Sequence, residues 1–452
     1  MSERLSKAIL VAVIVGLAVH NAAMAELYDL GVRGTALDVA AAWKEALLLA
    51  GIVLVLVGTR RLPALRVADA LAATYAAIIL VYAVLPQDWL DGGATTRGVL
   101  LALRHYLLPV AAYVLGRLLS AWWRDRERLG LLIVAVASGV ALIGILDLAF
   151  VPLDSWRNSG VPGWFSDQLG LDYQGLSGLP ENWVYNTGDE NNPIRRLVST
   201  FLSPLASAYA LVVALVYLAS RPLRWWSAAL GALCYGALLL THTRAALGAL
   251  VVGLVVLGIV QRRWWPPLLA AASIAVGAAF LAAYPSIGPS TSYTPEELAW
   301  LRQNAASEPG GSSDPFSPGE SSASSHLQNL RDGLRVVVEH PLGYGLGNSG
   351  VVAKRTGVEI KAGESTYAEL GVDAGVAGMV AFVLWCAALV VGLRSRAAWL
   401  SASFAAVLVL GLQTDVIGVH WLAVAVFAGA GIALEPGREE VAPEDPEPAD
   451  LV

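Results

Sequence analysis

The chain alternates long apolar runs with short polar breaks, and the runs are close to the length that crosses a bilayer as a helix. They fall at about 8–25, 43–59, 67–85, 98–120, 129–151, 197–219, 225–241, 244–261, 265–284, 366–393, 397–414 and 419–434. The pattern predicts an all-α polytopic integral membrane protein with about twelve transmembrane helices. Residues 1–151 carry the first five helices, 197–284 the next four and 366–434 the last three. The boundary around Thr241–Arg244 admits another division.

Two polar stretches interrupt the apolar runs. The first, 152–196, carries Trp156, Trp164, Trp183 and many Gly, Asn and Asp residues, and closes in Asn-Asn-Pro-Ile-Arg-Arg. The second, 285–365, opens with Tyr-Thr-Pro-Glu-Glu, which predicts a helix capped by Thr294 with Pro295 at its first position. A Gly-, Ser- and Pro-rich run from Glu308 to Ser325 predicts disorder, and helical periodicity resumes from Leu327 to Glu339. The tail from Glu435 is rich in Pro and Glu and predicts a disordered end. No internal repeat of the kind seen in inverted-repeat transporters is visible.

Composition sharpens this picture. Apolar residues make up 56% and charged residues 15%, against roughly 25% charged in soluble domains. Several of the 15 tryptophans stand in pairs beside basic residues, at Trp122-Trp123, Trp225-Trp226 and Trp264-Trp265, as interfacial belts do. Cys234 and Cys386 lie inside apolar runs and read as small hydrophobes without a disulfide framework. The charged start and Ala-Met-Ala at 23–25 resemble a cleavable leader, but the many following spans favour an uncleaved first helix.

Short-loop basic residues set the orientation. Arg4 and Lys7, Arg60, Arg61 and Arg66, Arg124, Arg126 and Arg128, Arg221 and Arg224, Arg262 and Arg263, and Arg394 and Arg396 all share one side. The positive-inside rule makes that side cytoplasmic, with both termini inside and the two long loops outside.

The outer arginines run against this bias and need another reason. Arg195 and Arg196 precede the run at 197–219, Arg244 follows Thr-His-Thr at a membrane edge, and Arg331 and Arg335 lie one turn apart on the loop helix. Guanidinium forks match phosphate oxygens bidentately, so a diphosphate arriving from the outer leaflet would account for the group. Any one of them alone is better explained by headgroup contact or by a salt bridge to Asp189, Glu190 or Asp332. A charge at the position of Arg244 is costly unless paired or in an aqueous cavity, and His242 beside it is more simply explained by a hydrogen bond in the turn. Gly343, Gly345 and Gly347 permit positive φ and close backbone approach, yet no strand or lysine-bearing helix completes a nucleotide fold. Glu364 stands where the run at 366–393 begins and reads either as a helix cap or as a catalytic carboxylate. Glu369 and Asp373, one turn apart inside that run, and Asp415 near the outer end of another, read as groups facing the bundle interior. For Asp415 the expected partner is an arginine.

In this order these pieces resemble the O-antigen ligase and polymerase superfamily of bacterial envelope glycosyltransferases. The resemblance runs from Arg195 to Gly378: Arg-Leu-Val-Ser-Thr-Phe-Leu-Ser-Pro entering a helix, the Thr-His-Thr-Arg turn, and a large outer loop. An Arg-bearing helix there runs into Pro-Leu-Gly-Tyr-Gly-Leu-Gly, followed by Glu-Leu-Gly-Val-Asp-Ala-Gly-Val-Ala-Gly. The resemblance implies a GT-C-like architecture in the inner membrane with an extracytoplasmic active site. It implies inverting, metal-independent transfer of a glycan from undecaprenyl diphosphate to a sugar or glycolipid acceptor. No cofactor, metal or nucleic acid is expected. The arginines that hold the diphosphate map to Arg196, Arg244 and Arg331, with Arg195 and Arg335 as neighbours.

The ligases carry a His-Asn pair just before the helix corresponding to 366–393, with that His as base; this chain has Glu364-Ser365, which leans toward polymerases or other acceptor classes. Glu364 is then the expected base, with a raised pKa, Arg331 and Arg244 act with it, and His242, His326, Glu369, Asp373 and Asp415 are expected to support the site. The competing class is a transporter or flippase of lipid-linked envelope intermediates, using the same arginines without chemistry.

Overall fold

The computed structural model describes residues 2–58, 62–123, 126–185, 193–305 and 321–435. The expectations for Arg60, Arg61 and Arg124, for Asp189 and Glu190, for most of the Gly- and Ser-rich run and for the tail beyond Glu435 lie outside those residues.

Every apolar run predicted to be a helix contains one. The first group is α1 (Ser2–Asp29), the short α2 (Thr35–Ala41), α3 (Trp43–Gly58), α4 (Val67–Val84), α5 (Thr96–Leu119) and α6 (Arg126–Phe150). The first loop holds α7 (Leu153–Arg157), α8 (Val161–Gly163) and a two-residue antiparallel pair, β1 (Val184–Tyr185) with β2 (Ile194–Arg195). Next come α9 (Pro204–Ala219), α10 (Trp225–Leu240), α11 (Arg244–Gln261) and α12 (Trp265–Ile287). The second loop contains α13 (Pro295–Ala305), α14 (Ser321–Glu339) and α15 (Gly350–Thr356), before α16 (Thr366–Leu393), α17 (Ala398–Leu410) and α18 (His420–Ala433).

Among the described residues seven of these helices are long and apolar enough to cross a membrane, or eight if α2 and α3, bent by 42°, form one span. The other four, α9, α10, α17 and α18, are apolar but shorter. Two of them are shorter than predicted because their loop ends do other work. The 197–203 stretch ahead of α9 packs on α6, with the Ser199 hydroxyl donating to the Val140 carbonyl at 2.7 Å. Beyond α17, the carbonyls of Gly411 and Thr414 accept the Thr366 amide at 3.0 and 3.2 Å.

Long-range contacts sort the helix ends into two faces. On one, Arg117 donates to Asp69 at 2.8 Å, to the Ala64 carbonyl at 2.7 Å and to Glu435 at 3.1 Å, and Gln261 donates to the Ser220 carbonyl at 3.2 Å. The other, the loop face, joins 30–42 to the first loop through Gly34 and Gln168, and 85–95 to the second through Gly93 and Asn348. The basic short-loop residues that remain described gather on the face of Arg117, so the loop face carries both long loops. Between the faces, small residues let helices touch backbone to backbone, as membrane packing favours. A Cβ on Gly431 would lie 2.6 Å from the Arg117 amide nitrogen of α5. Cys234 and Cys386 are buried and free. Trp225 and Trp264 are exposed, whereas Trp123 turns into the core.

Candidate active site

The second loop docks into a break in α16. Ala374 and Gly375 leave the helical conformation, Gly375 at φ 65°, which frees the Val372 carbonyl to accept the Tyr344 amide at 2.6 Å and the Val376 amide to donate to the Pro341 carbonyl at 2.9 Å. Gly343, Gly345 and Gly347 all take positive φ, as their sequence predicts. Their use is packing. Asp373, buried before the break, accepts the Gly347 amide and the Asn348 amide at 3.0 Å each and the Tyr106 hydroxyl at 3.1 Å. A protein carboxylate therefore occupies the amide cradle that a phosphate would need.

The arginines divide. Arg195 turns inward: its guanidinium donates to the Val151 carbonyl and, at 3.4 Å, to Asp147, and burial lowers its pKa. Arg196 instead donates to neutral oxygens, the Thr241 carbonyl at 2.8 Å and the Thr243 hydroxyl at 3.1 Å. Burial, with the neighbouring Arg244 charge, pushes it down to about 10. His242 sits in the same turn at φ 50°, sandwiched between Tyr185 and Tyr284 with ring centroids 4.1 and 4.9 Å away. Its pKa is pushed down to about 3 by burial and by the charges of Arg196 and Arg244, and its buried Nε2 has no hydrogen-bond partner among the described residues. The structure thus brings Arg196, His242 and Arg244 together and leaves Arg195 in a structural ion pair. Arg331 and Arg335 lie exposed on α14.

Glu364 is not the helix cap. Ser365 holds the N-cap position of α16, and Glu364 is held in the left-handed region at φ 64°, a conformation that costs a non-glycine residue about 1–3 kcal/mol and gathers at functional sites. Its carboxylate reaches α14, where it accepts from Asn329 at 3.0 Å and pairs with His326 Nδ1 at 2.7 Å. The expected raised pKa is corrected: the hydrogen bond from His326, then that from Asn329, holds the carboxyl below its ordinary range.

Asp415 pairs with His105 Nε2 at 3.1 Å, not with an arginine. Glu369 is buried against Gly350, where a Cβ would run into its carboxylate. The role of His105 is not legible locally. Its only sequence signal is an Arg-His pair inside an apolar run, and its partner lies 310 residues away.

Residues 229–383 match the protein-family model described as O-antigen ligase. The matched stretch runs from α10 into α16 and takes in His242, Arg244, the α14 arginines, Glu364 and Asp373, while Arg195, Arg196 and Asp415 fall outside it. No curated protein matches the chain. The family match supports the O-antigen ligase and polymerase superfamily, and with it glycan transfer of the ligase or polymerase type by a bacterial membrane protein.

Proposed function

We propose that the loop face is extracytoplasmic, that all twelve apolar helices span the membrane in a GT-C-like arrangement, and that the protein transfers a glycan from undecaprenyl diphosphate to a sugar hydroxyl. One observation carries the donor assignment. Arg196 and Arg244 stand close enough to affect each other, and among the described residues Arg196 is held by neutral oxygens and the buried His242 Nε2 beside them has no hydrogen-bond partner. Two guanidinium forks side by side at a membrane edge suit a diphosphate.

In the reaction the acceptor oxygen forms a bond to the anomeric carbon as the bond from that carbon to the diphosphate oxygen breaks. The electron pair leaves with the diphosphate, where fixed cations stabilise the developing charge. The acceptor proton needs a base, and the His326–Glu364 pair supplies one. With Glu364 ionised, Nδ1–H of His326 donates to it and Nε2 is left to accept the proton, the logic by which a carboxylate orients an imidazole. Attack opposite the leaving group inverts the anomeric centre. Arg331 and Arg335, on the helix that carries His326, complete the cationic side of the site.

Purified full-length protein given a lipid-linked oligosaccharide and a glycan acceptor tests this reading. Elongated or ligated glycan together with free undecaprenyl diphosphate is expected. Donor binding or movement across the membrane without either product would assign the arginines to a transporter.

A further inference from the structure

Four cations meet on the loop face at a place the donor site does not use. Arg97 and Arg104 stand two turns apart on one face of α5. The helix α15 packs on α5, with the Thr356 hydroxyl 3.4 Å from where a Cβ on Gly98 would stand, which sets Arg355 beside Arg97. Burial and the charges of Arg104 and Arg97 hold Arg355 down to about 10. At the head of α3, Lys44 is 1% exposed, donates to the Ala41 carbonyl at 2.9 Å and lies 3.4 Å from Glu45. Arg104 donates to that same Glu45 oxygen at 2.5 Å.

The charge is unbalanced. One carboxylate oxygen of Glu45 serves two cations, and its other oxygen is buried with no partner among the described residues. Asp38, an acid within electrostatic reach of Arg355, accepts from Gln168 at 2.8 Å. Arg97 is exposed and the Arg104 side chain is 37% accessible, so these two forks are open to a ligand, while Arg355 is half-buried with its Nε donating to the Leu169 carbonyl at 3.1 Å. The His105–Asp415 pair links this group electrostatically to the donor arginines. His105 is within electrostatic reach of Arg355, while Asp415 and Arg196 are both within reach of Tyr209.

We propose that Arg97, Arg104 and Arg355, backed by Lys44, form a second anion-binding site that takes the phosphate or carboxylate group of an acidic sugar on the acceptor glycan. Planar forks on three separate backbone positions fit such oxygens, and a filled site would offset the repulsion that the bare one carries. Naming the occupant as acceptor rests on the glycan-transfer reading; the anion site itself does not.

Calorimetric titration of inorganic pyrophosphate into full-length protein in phosphatidylcholine nanodiscs reads both sites at once, and two binding events are expected. Arg97→Gln, at an exposed position, should weaken one event at least tenfold and spare the other; Arg355→Gln should do the same. Arg196→Lys and Arg244→Lys should weaken the other event instead. An unchanged titration in both Arg97→Gln and Arg355→Gln overturns the second site, whereas an unchanged titration in the Arg196 and Arg244 variants overturns the donor reading. A glucuronate-containing disaccharide should displace pyrophosphate from the Arg97-dependent site. If it does not, or if phosphatidylglycerol in the disc displaces pyrophosphate in its place, the acceptor assignment falls.

Discussion

The Glu364 carboxylate, held at φ 64° just ahead of α16, lies 2.7 Å from the Nδ1 of His326 on α14. The contact joins two elements 38 residues apart, and it changes the expected chemistry. A carboxyl held below its ordinary range is a poor proton acceptor near neutral pH but a good orienting partner for an imidazole.

If the two act as a unit, Glu364→Gln and His326→Gln should each reduce transfer at least about tenfold, equivalent to ~1.4 kcal/mol in the transition state. Donor binding should survive both. The double variant should be little worse than either single one, because members of a unit are non-additive. Turnover of the three variants with lipid-linked oligosaccharide checks this, and near-normal turnover in His326→Gln would return the base assignment to Glu364 alone.

The same pair has a pH signature. Because the folded pKa of Glu364 is depressed, its contribution to stability is fully present above the carboxyl's ordinary range and is lost as pH falls through the depressed value. Thermal unfolding of wild type across acidic pH should therefore show a stability loss that Glu364→Gln lacks. Parallel curves for the two proteins would mean that the contact does not favour the ionised carboxylate.

Local rules carried the sequence reading a long way. The cap predicted at Thr294 is present as a reciprocal box, with the Glu297 amide donating to Thr294 Oγ1 at 3.2 Å and the Thr294 amide donating to Glu297 Oε2 at 2.8 Å. The apolar runs became helices because spanning length and composition leave the backbone no other partner. What stayed hidden is non-local. Arg195 and Arg196 are alike in sequence, and only Asp147, 48 residues upstream, separates their roles. Gly375 looks like any small residue of a span until the 341–344 turn is seen entering the break it makes. The cluster of Arg97, Arg104 and Arg355 draws on residues more than 250 positions apart, which no spacing rule connects.

The split between the adjacent arginines predicts opposite phenotypes. Arg196→Lys and Arg244→Lys keep charge but lose the fork, so transfer should fall at least about tenfold, again ~1.4 kcal/mol, with normal yield and Tm. Arg195→Leu should strand buried Asp147 without its cation and lower the yield and Tm first. Activity per folded molecule, measured beside thermal unfolding, separates the two cases. Full activity in both lysine variants would remove the diphosphate clamp.

Orientation can be read from single cysteines at exposed positions in a background with Cys234 and Cys386 replaced. Glu359→Cys, whose parent side chain is 80% exposed on the loop face, should react with a membrane-impermeant maleimide in intact cells. Ser395→Cys, exposed between α16 and α17 on the opposite face, should react only after permeabilisation. The reverse pattern would turn the protein over and place the arginine sites in the cytoplasm.

The docking of the second loop into α16 hangs on Asp373. Its two oxygens accept the amides of Gly347 and Asn348, so Asp373→Asn keeps one acceptor and turns an NH2 group toward the other amide. Leaving a buried amide unsatisfied costs roughly 1–3 kcal/mol, and Tm should fall accordingly. The loss should be local before it is global, because the 341–349 turn loses its anchor while the helices keep theirs. Limited proteolysis is therefore expected to cut Asp373→Asn within that turn under conditions that leave wild type intact, with Tyr106→Phe, which removes a single hydrogen bond to the same carboxylate, falling between them. If both variants resist cleavage like the wild type, the turn is held by the α16 break alone and Asp373 has another task.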